Sequence, residues 1–187
     1  MAHYFKPFPT ISYKLPGMTP TIAVTDITRR FALTSLLKNN AAIYFDYEVK
    51  DGDRPDIIAD KYYEDQTLDW LVLMTNEMHD PYFKWPLPYQ NFVNYIRQKY
   101  GSVSVAQGTI HHYEKTIQAL SFNNDGTLIP KRTAIVDYTT YLADIANSRI
   151  VYSYTYEEEL NESHRNIKLL DERFLGIVID THRRIFN

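Results

Sequence analysis

Residues 47–65 read YEVKDGDRPDIIADKYYED, and a change of period inside that stretch decides what kind of domain this is. Up to Val49 the chain alternates. Tyr44, Asp46 and Glu48 interleave with Phe45, Tyr47 and Val49, the period of two that sends successive side chains to opposite faces of a strand. Lys50-Asp51-Gly52-Asp53 supplies a turn. Pro55 then suits the first turn of a helix, where a missing N–H costs nothing, and Pro55, Ile58, Ala59 and Tyr62 fall on one face. A strand passing into a helix through a polar turn points to an α+β fold.

Downstream, Leu68 starts a second helix with two apolar stripes. Leu68, Leu71, Val72 and Thr75 make one, and Trp70, Leu73 and Met74 make another on the opposite side. A helix that is apolar all round is covered on more than one side, so the second stripe needs a cover besides its own domain. DPYFKWPLP, residues 80–88, is too rich in proline for a regular element and forms a rigid aromatic corner. An amphipathic helix from Tyr89 buries Phe92, Val93, Ile96 and Tyr100 and ends at Gly101. Beyond it the chain reads as strands over 109–118 and 127–129, with a hairpin signal at Asp125-Gly126. A short helix follows from Tyr138 to Ile145. Residues 150–156 read as a strand or as the start of a helix through EEELNE, NIKLLD as a strand, and Asp171 caps a last helix to Phe186.

Upstream, Pro7, Pro9, Pro16 and Pro20 forbid a helix and favour an extended path, and Tyr4, Phe5, Phe8 and Tyr13 make that path aromatic rather than polar. The arm is therefore expected to lie ordered along a surface, its own or a partner's. Asp26 is placed to cap a helix to about Lys38 with Ile27, Phe31 and Leu37 inside. These readings divide the chain into an arm and helix over 1–41, a module with an added helix over 42–100, and a hairpin-plus-helices region over 101–187.

Composition narrows the function. The 187 residues carry a net charge of −3, which makes no nucleic-acid backbone an obligatory partner. Sixteen tyrosines and nine phenylalanines favour protein–protein contact, since such rings are enriched at interfaces. With no cysteine, disulfides, thiolate metal sites and cysteine nucleophiles are excluded. No apolar run suits a signal peptide or a membrane span. His111 and His112 are neighbours on a strand, expected to point to opposite faces, and His79, His164 and His182 are isolated, so neither metal nor cofactor is expected. Asp51, Asp53 and Asp56 read as turn and cap residues, and Glu157-Glu158-Glu159 as a solvated helix start. No catalytic motif is present and no enzyme is expected. Arg29-Arg30 and Arg183-Arg184 are solvated or meet acidic partner surfaces.

Two resemblances add to this. Tyr47 to Asp65, with Leu71, Asn76 and Asp80-Pro81 after it, resembles the first half of a LysM module, a strand–helix–helix–strand fold many of whose members bind N-acetylglucosamine-containing glycans. The closing strand of that family is replaced here by Trp85 to Pro88 and a third helix, which argues against glycan binding. More broadly, TPTIAVTDITRRF, LDWLVLMTNEMHDPYFKWPL and YEEELNESHRNIKLLD, in that order, resemble the baseplate wedge protein of T-even-type contractile-tailed bacteriophages, the one with an embedded LysM-like module. That resemblance implies a structural part of the virion tail baseplate, put together in the host cytoplasm, that clamps adjacent wedges around the inner ring. The partners it implies are central-ring wedge subunits and the small sheath-initiating protein. The alternative is a LysM-type glycan-binding module of a cell-wall-active assembly. On the clamp reading the candidate interface residues are Tyr4, Phe5, Phe8, Tyr13, Arg29, Arg30, Trp70, Met74, Tyr82, Phe83 and Trp85.

Overall fold

The computed structural model describes residues 3–17, 19–33 and 40–186. In chain order the strands and helices are β1 (Thr10–Tyr13), β2 (Ile22–Thr25), β3 (Tyr44–Glu48), α1 (Pro55–Tyr63), α2 (Asp69–Thr75), α3 (Pro81–Lys84), α4 (Tyr89–Tyr100) and α5 (Val103–Gly108). They continue with β4 (Ile110–Gln118), β5 (Ser121–Phe122), β6 (Leu128–Ile129), β7 (Arg132–Val136), α6 (Tyr138–Ala143), β8 (Ser148–Tyr152), α7 (Ser153–Ser163), β9 (Asn166–Leu170) and α8 (Glu172–Phe186). The fold is α+β. It divides into two compact units, Met1–Pro86 with His164–Asn187, and Leu87–Ser163. These boundaries differ from breaks at 41/42 and 100/101: α4 belongs to the second unit, and the C-terminal residues return to the first.

The reason for that return is a strand pairing. β3 pairs antiparallel with β9, Tyr44 opposite Leu170 and Tyr47 opposite Ile167. The turn after β3 runs through Gly52 at φ +85°, a left-handed conformation that suits glycine. Helices α1 and α2 follow and pack Ile58, Ala59, Leu71 and Val72 into one core with Ile167, Leu169, Leu170 and Val178 of α8. On its other side β9 meets the end of α2. The Asn76 amide donates to the Lys168 carbonyl at 2.9 Å and accepts from the Lys168 N–H at 2.7 Å, the two bonds a neighbouring strand would make. The same amide donates to the Val72 carbonyl at 2.8 Å, which fixes it to its own helix. The Tyr63 hydroxyl adds a bond to the Leu170 carbonyl at 3.0 Å.

The helix expected from Asp26 is absent over the part of it that is described. Between Asp26 and Leu33 there is no helix, and Thr34 to Asn39, with the Leu37 and Lys38 assigned to it, lie outside the described residues. The Asp26 carboxylate accepts from the Thr28 N–H at 3.1 Å and from its hydroxyl, and from Arg29 Nε at 3.2 Å. A short acidic side chain that satisfies the next turn's donors competes with the helix it could have capped. Ile27, expected inside, is 70% exposed, while Phe31 is buried as expected.

In the second unit Gly101 ends α4 at φ +84°. The residues after it form a further helix before the expected strand, because the Ser102 hydroxyl accepts from the Val105 N–H at 3.2 Å and caps α5. β4 is the centre of a three-stranded antiparallel sheet ordered β7-β4-β8. The Asp125-Gly126 turn closes only the short β5–β6 ribbon, and β7 was not anticipated. Residues 150–156 are both things the sequence offered: β8 ends at Tyr152 and α7 starts at Ser153.

Because two bonds of one side chain hold β9 to α2 and a third fixes that side chain to its helix, Asn76→Ala should lower stability by about 1–3 kcal/mol in a urea melt. A chain ended at Ser163 should lose amide-exchange protection across β3, α1 and α2, which are then left without their closing strand.

Candidate interaction site

The corner at 80–86 is held at both ends. Asp80 caps α3 by accepting from the Tyr82 N–H at 3.2 Å, with Pro81 at the first helical position. Trp85, half-buried against the core of the first unit, donates its indole N–H to the Asp53 carbonyl at 2.9 Å. Asp53 itself organises the turn, accepting from the Tyr47 hydroxyl at 2.9 Å and from Lys61 Nζ at 2.8 Å. Burial pushes its carboxyl up, but those bonds and one from the Lys50 N–H outweigh that and hold it below the usual carboxylate range. Between the two anchors Tyr82 and Phe83 stand 88% and 81% exposed. Large rings on a held backbone have little freedom left to lose when a partner closes on them.

Tyr4, Phe5, Arg29, Arg30, Trp70 and Met74 come together around one groove of about 510 Å³, with Ile27, Phe31, Leu73 and Met78 also in its walls. The other five predicted interface residues lie elsewhere. Phe8 is buried and stacks on Phe186 with ring centroids 4.0 Å apart. Tyr13 is exposed on β1, where it and Ile11 face Ile22 and Val24 of β2. Trp85, Tyr82 and Phe83 form the corner. Arg29 is engaged by Asp26 at 3.2 Å, and Arg30 is exposed at the rim.

In the second stripe of α2, Trp70 is covered from within the chain, while Leu73 and Met74 are half-buried and line the groove. Trp70 is 8% exposed and lies 5.6 Å from Tyr4, 6.1 Å from Phe31 and 4.8 Å from His182, ring centre to ring centre. Tethered rings cover such a side chain without the loss of translational freedom that a separate subunit incurs. His182, expected to stand isolated, is packed among these rings, and Val178, His182 and Phe186 repeat at the four-residue spacing of a buried helix face. It is 3% exposed, and its Nε2 has no hydrogen-bond partner among the described residues. Burial pushes the imidazole below its ordinary value, helped by Arg183 and opposed by a bond to the Tyr4 backbone.

Two readings of polar residues are corrected in the second unit. Glu157 is not on a solvated face: it is 5% exposed and accepts from Lys99 Nζ at 2.6 Å, Tyr100 Oη at 2.8 Å and Tyr95 Oη at 3.0 Å. Its bond to Lys99 raises that ammonium above the ordinary lysine value. Glu159 is paired with Arg149 at 2.9 and 3.1 Å. These carboxylates tie α7 to α4 and β8 and are engaged by cations, an arrangement unlike a general acid held neutral. His111 and His112 do not point apart; a bulge in β4 brings their Nδ1 atoms to 2.7 Å. Among the described residues no three His, Cys, Asp or Glu side chains cluster as a metal site, and no helix is long and apolar enough to cross a membrane.

Comparison with known proteins places the chain as a whole. Residues 3–124 match the family described as base plate wedge protein 53. The chain belongs to that family. It is also similar to the baseplate wedge protein gp53 of Enterobacteria phage T4, with 28% identity over 173 residues that cover 89% of this chain and 86% of the relative. This wedge protein is thus a structural component of a phage tail baseplate. Both matches carry the names of wedge proteins rather than of enzymes.

Trp70→Ala should cost about 3–5 kcal/mol in folding, as a buried aromatic, whereas Tyr82→Ala and Phe83→Ala should stay within about 0.5 kcal/mol of the parent in the same urea melts. His182 gives a pH dependence whose sign follows from its lowered value. The unfolded imidazole takes a proton below about 6.5 while the folded one resists it, so the contribution is complete above that pH and is lost as pH falls towards the folded value. His182→Phe should flatten the stability curve over that window.

Proposed function

We propose that this wedge protein is a clamp that joins adjacent wedges around the inner ring of the baseplate, with Tyr82 and Phe83 as anchors set into a neighbouring wedge subunit. The observation that carries the reading is the exposure of those two rings on a backbone pinned by Asp80 and by the Trp85–Asp53 bond. Anchors of this kind supply most of the binding energy of an interface. The groove between Tyr4, Arg30 and Met74 supports a second contact, one that receives an apolar side chain with a carboxylate near the rim. Family membership supports partners among the central-ring wedge subunits and the sheath-initiating protein, met in the host cytoplasm during assembly.

The order β3, α1, α2, β9 with antiparallel pairing of its strands supports a LysM-like scaffold, whose closing strand is drawn from residues 166–170 in place of Trp85 to Pro88. That scaffold is the one feature that favours the second reading, a glycan-binding module.

Co-expression with the neighbouring wedge subunits, followed by size-exclusion chromatography with light scattering, tests the clamp. The parent chain should elute in a stable complex, and Tyr82→Ala with Phe83→Ala should weaken it at least tenfold while the urea melt is unchanged. A complex indifferent to both substitutions would remove the anchors from the interface. Retention on peptidoglycan without any wedge complex would replace the clamp by the glycan module.

A further inference from the structure

β4 carries two adjacent histidines, and on a regular strand they would face away from one another. The pairing with β8 is irregular at this point. Ile110 lies opposite Tyr152 and His112 opposite Val151, so His111 is one residue too many for the ladder. Such a bulge bends the strand and re-aims side chains. Here it turns both imidazoles to the same side, with Nδ1 to Nδ1 at 2.7 Å. Tyr156 of α7 holds the arrangement: its ring stacks on His111 with centroids 3.9 Å apart and planes 9° from parallel, and meets His112 edge-on at 6.1 Å. His111 is exposed and His112 half-buried, so the pair is ordered yet reachable from solvent.

A neutral imidazole offers one nitrogen lone pair. Two of them converging at this spacing hold either a shared proton or a shared cation. At a metal–nitrogen distance of about 2.1 Å the observed separation corresponds to an angle of roughly 80° at the ion, a little short of the 90° between neighbouring positions in an octahedral or square-planar shell. Opening the pair by about 0.3 Å completes that angle, while a tetrahedral shell needs a separation of about 3.4 Å. Imidazole is a preferred donor for the later first-row ions. We propose that His111 and His112 chelate a divalent ion of the nickel and copper class through both Nδ1 atoms, with water in the remaining positions. With no cluster of three His, Cys, Asp or Glu donors among the described residues, the site is bidentate and exchanges its ion readily. Tyr156 fixes the ring planes beforehand, which lowers the entropy lost on binding.

The test uses the full chain without an affinity tag, in a His3→Ala background that removes the amino-terminal histidine as a competing ligand. Calorimetric titration with NiCl₂ should give one ion per chain. His111→Ala and His112→Ala should each weaken binding at least tenfold, since either removes the chelate, whereas His79→Ala should leave it unchanged. Circular dichroism melts show whether each variant is folded. Should a variant fail to fold, paramagnetic broadening in the otherwise unaltered chain decides: Ni²⁺ should broaden the ring signals of His111 and His112 first. No binding, binding that survives loss of either histidine, or broadening centred on other residues overturns the site.

Discussion

The first unit depends on one antiparallel pairing, that of β3 with β9. A strand, a turn and two helices leave β3 with an open edge and the apolar faces of α1 and α2 half covered. The strand that completes them is more than a hundred residues away. This is possible because the entropy of closing a loop grows only with the logarithm of its length, about 0.6 kcal/mol for each doubling. Residues 87–163 can leave the first unit and return to it for roughly 2 kcal/mol more than a short connection would cost. Asn76 then makes the pairing specific. Its amide presents a donor and an acceptor to Lys168, so β9 finds hydrogen-bond partners on both edges and its register is set.

Coverage of α2 follows from the same frame. Once α8 lies in the core with Val178, it carries His182 and Phe186 to where Trp70 and the N-terminal arm meet. Tyr4 and Phe8 become part of the protein's own packing, and of the rings expected at an interface Phe5, Tyr13, Tyr82 and Phe83 are left facing solvent. The aromatic surplus of this chain therefore divides into rings that fold it and rings that await something else. Trp85 belongs to both groups in effect, since its bond to Asp53 holds in place the corner that presents Tyr82 and Phe83.

Much of the local structure was legible in the sequence. Alternation over 44–49, the Gly52 turn, Pro55 at a helix start, Gly101 at a helix end and Asp171 before the last helix all act through neighbours within four residues, and such rules are readable along the chain. The aromatic corner was legible only in part: no regular element was expected over 80–88, yet Pro81–Lys84 form a short helix capped by Asp80, because proline at the first helical position is compatible with a helix. The errors are equally instructive. Asp26 fits a helix cap and a closed turn equally well on paper, and its bonds to Thr28 and Arg29 chose the turn. Adjacent histidines face apart only if the strand is regular, and the extra residue in β4 depends on the register with β8.

What the sequence determined by itself was the α+β character, the nature of the turns and caps, and the supply of rigid aromatic side chains suited to a baseplate wedge protein. Tertiary structure alone decided which of those side chains are core and which are surface, where the closing strand comes from, and that Glu157 is a buried tie rather than a solvated charge. The physical reason is common to all three. Burial and strand pairing are made between residues far apart in the chain, and composition and periodicity say which faces need a partner without saying which partner they meet.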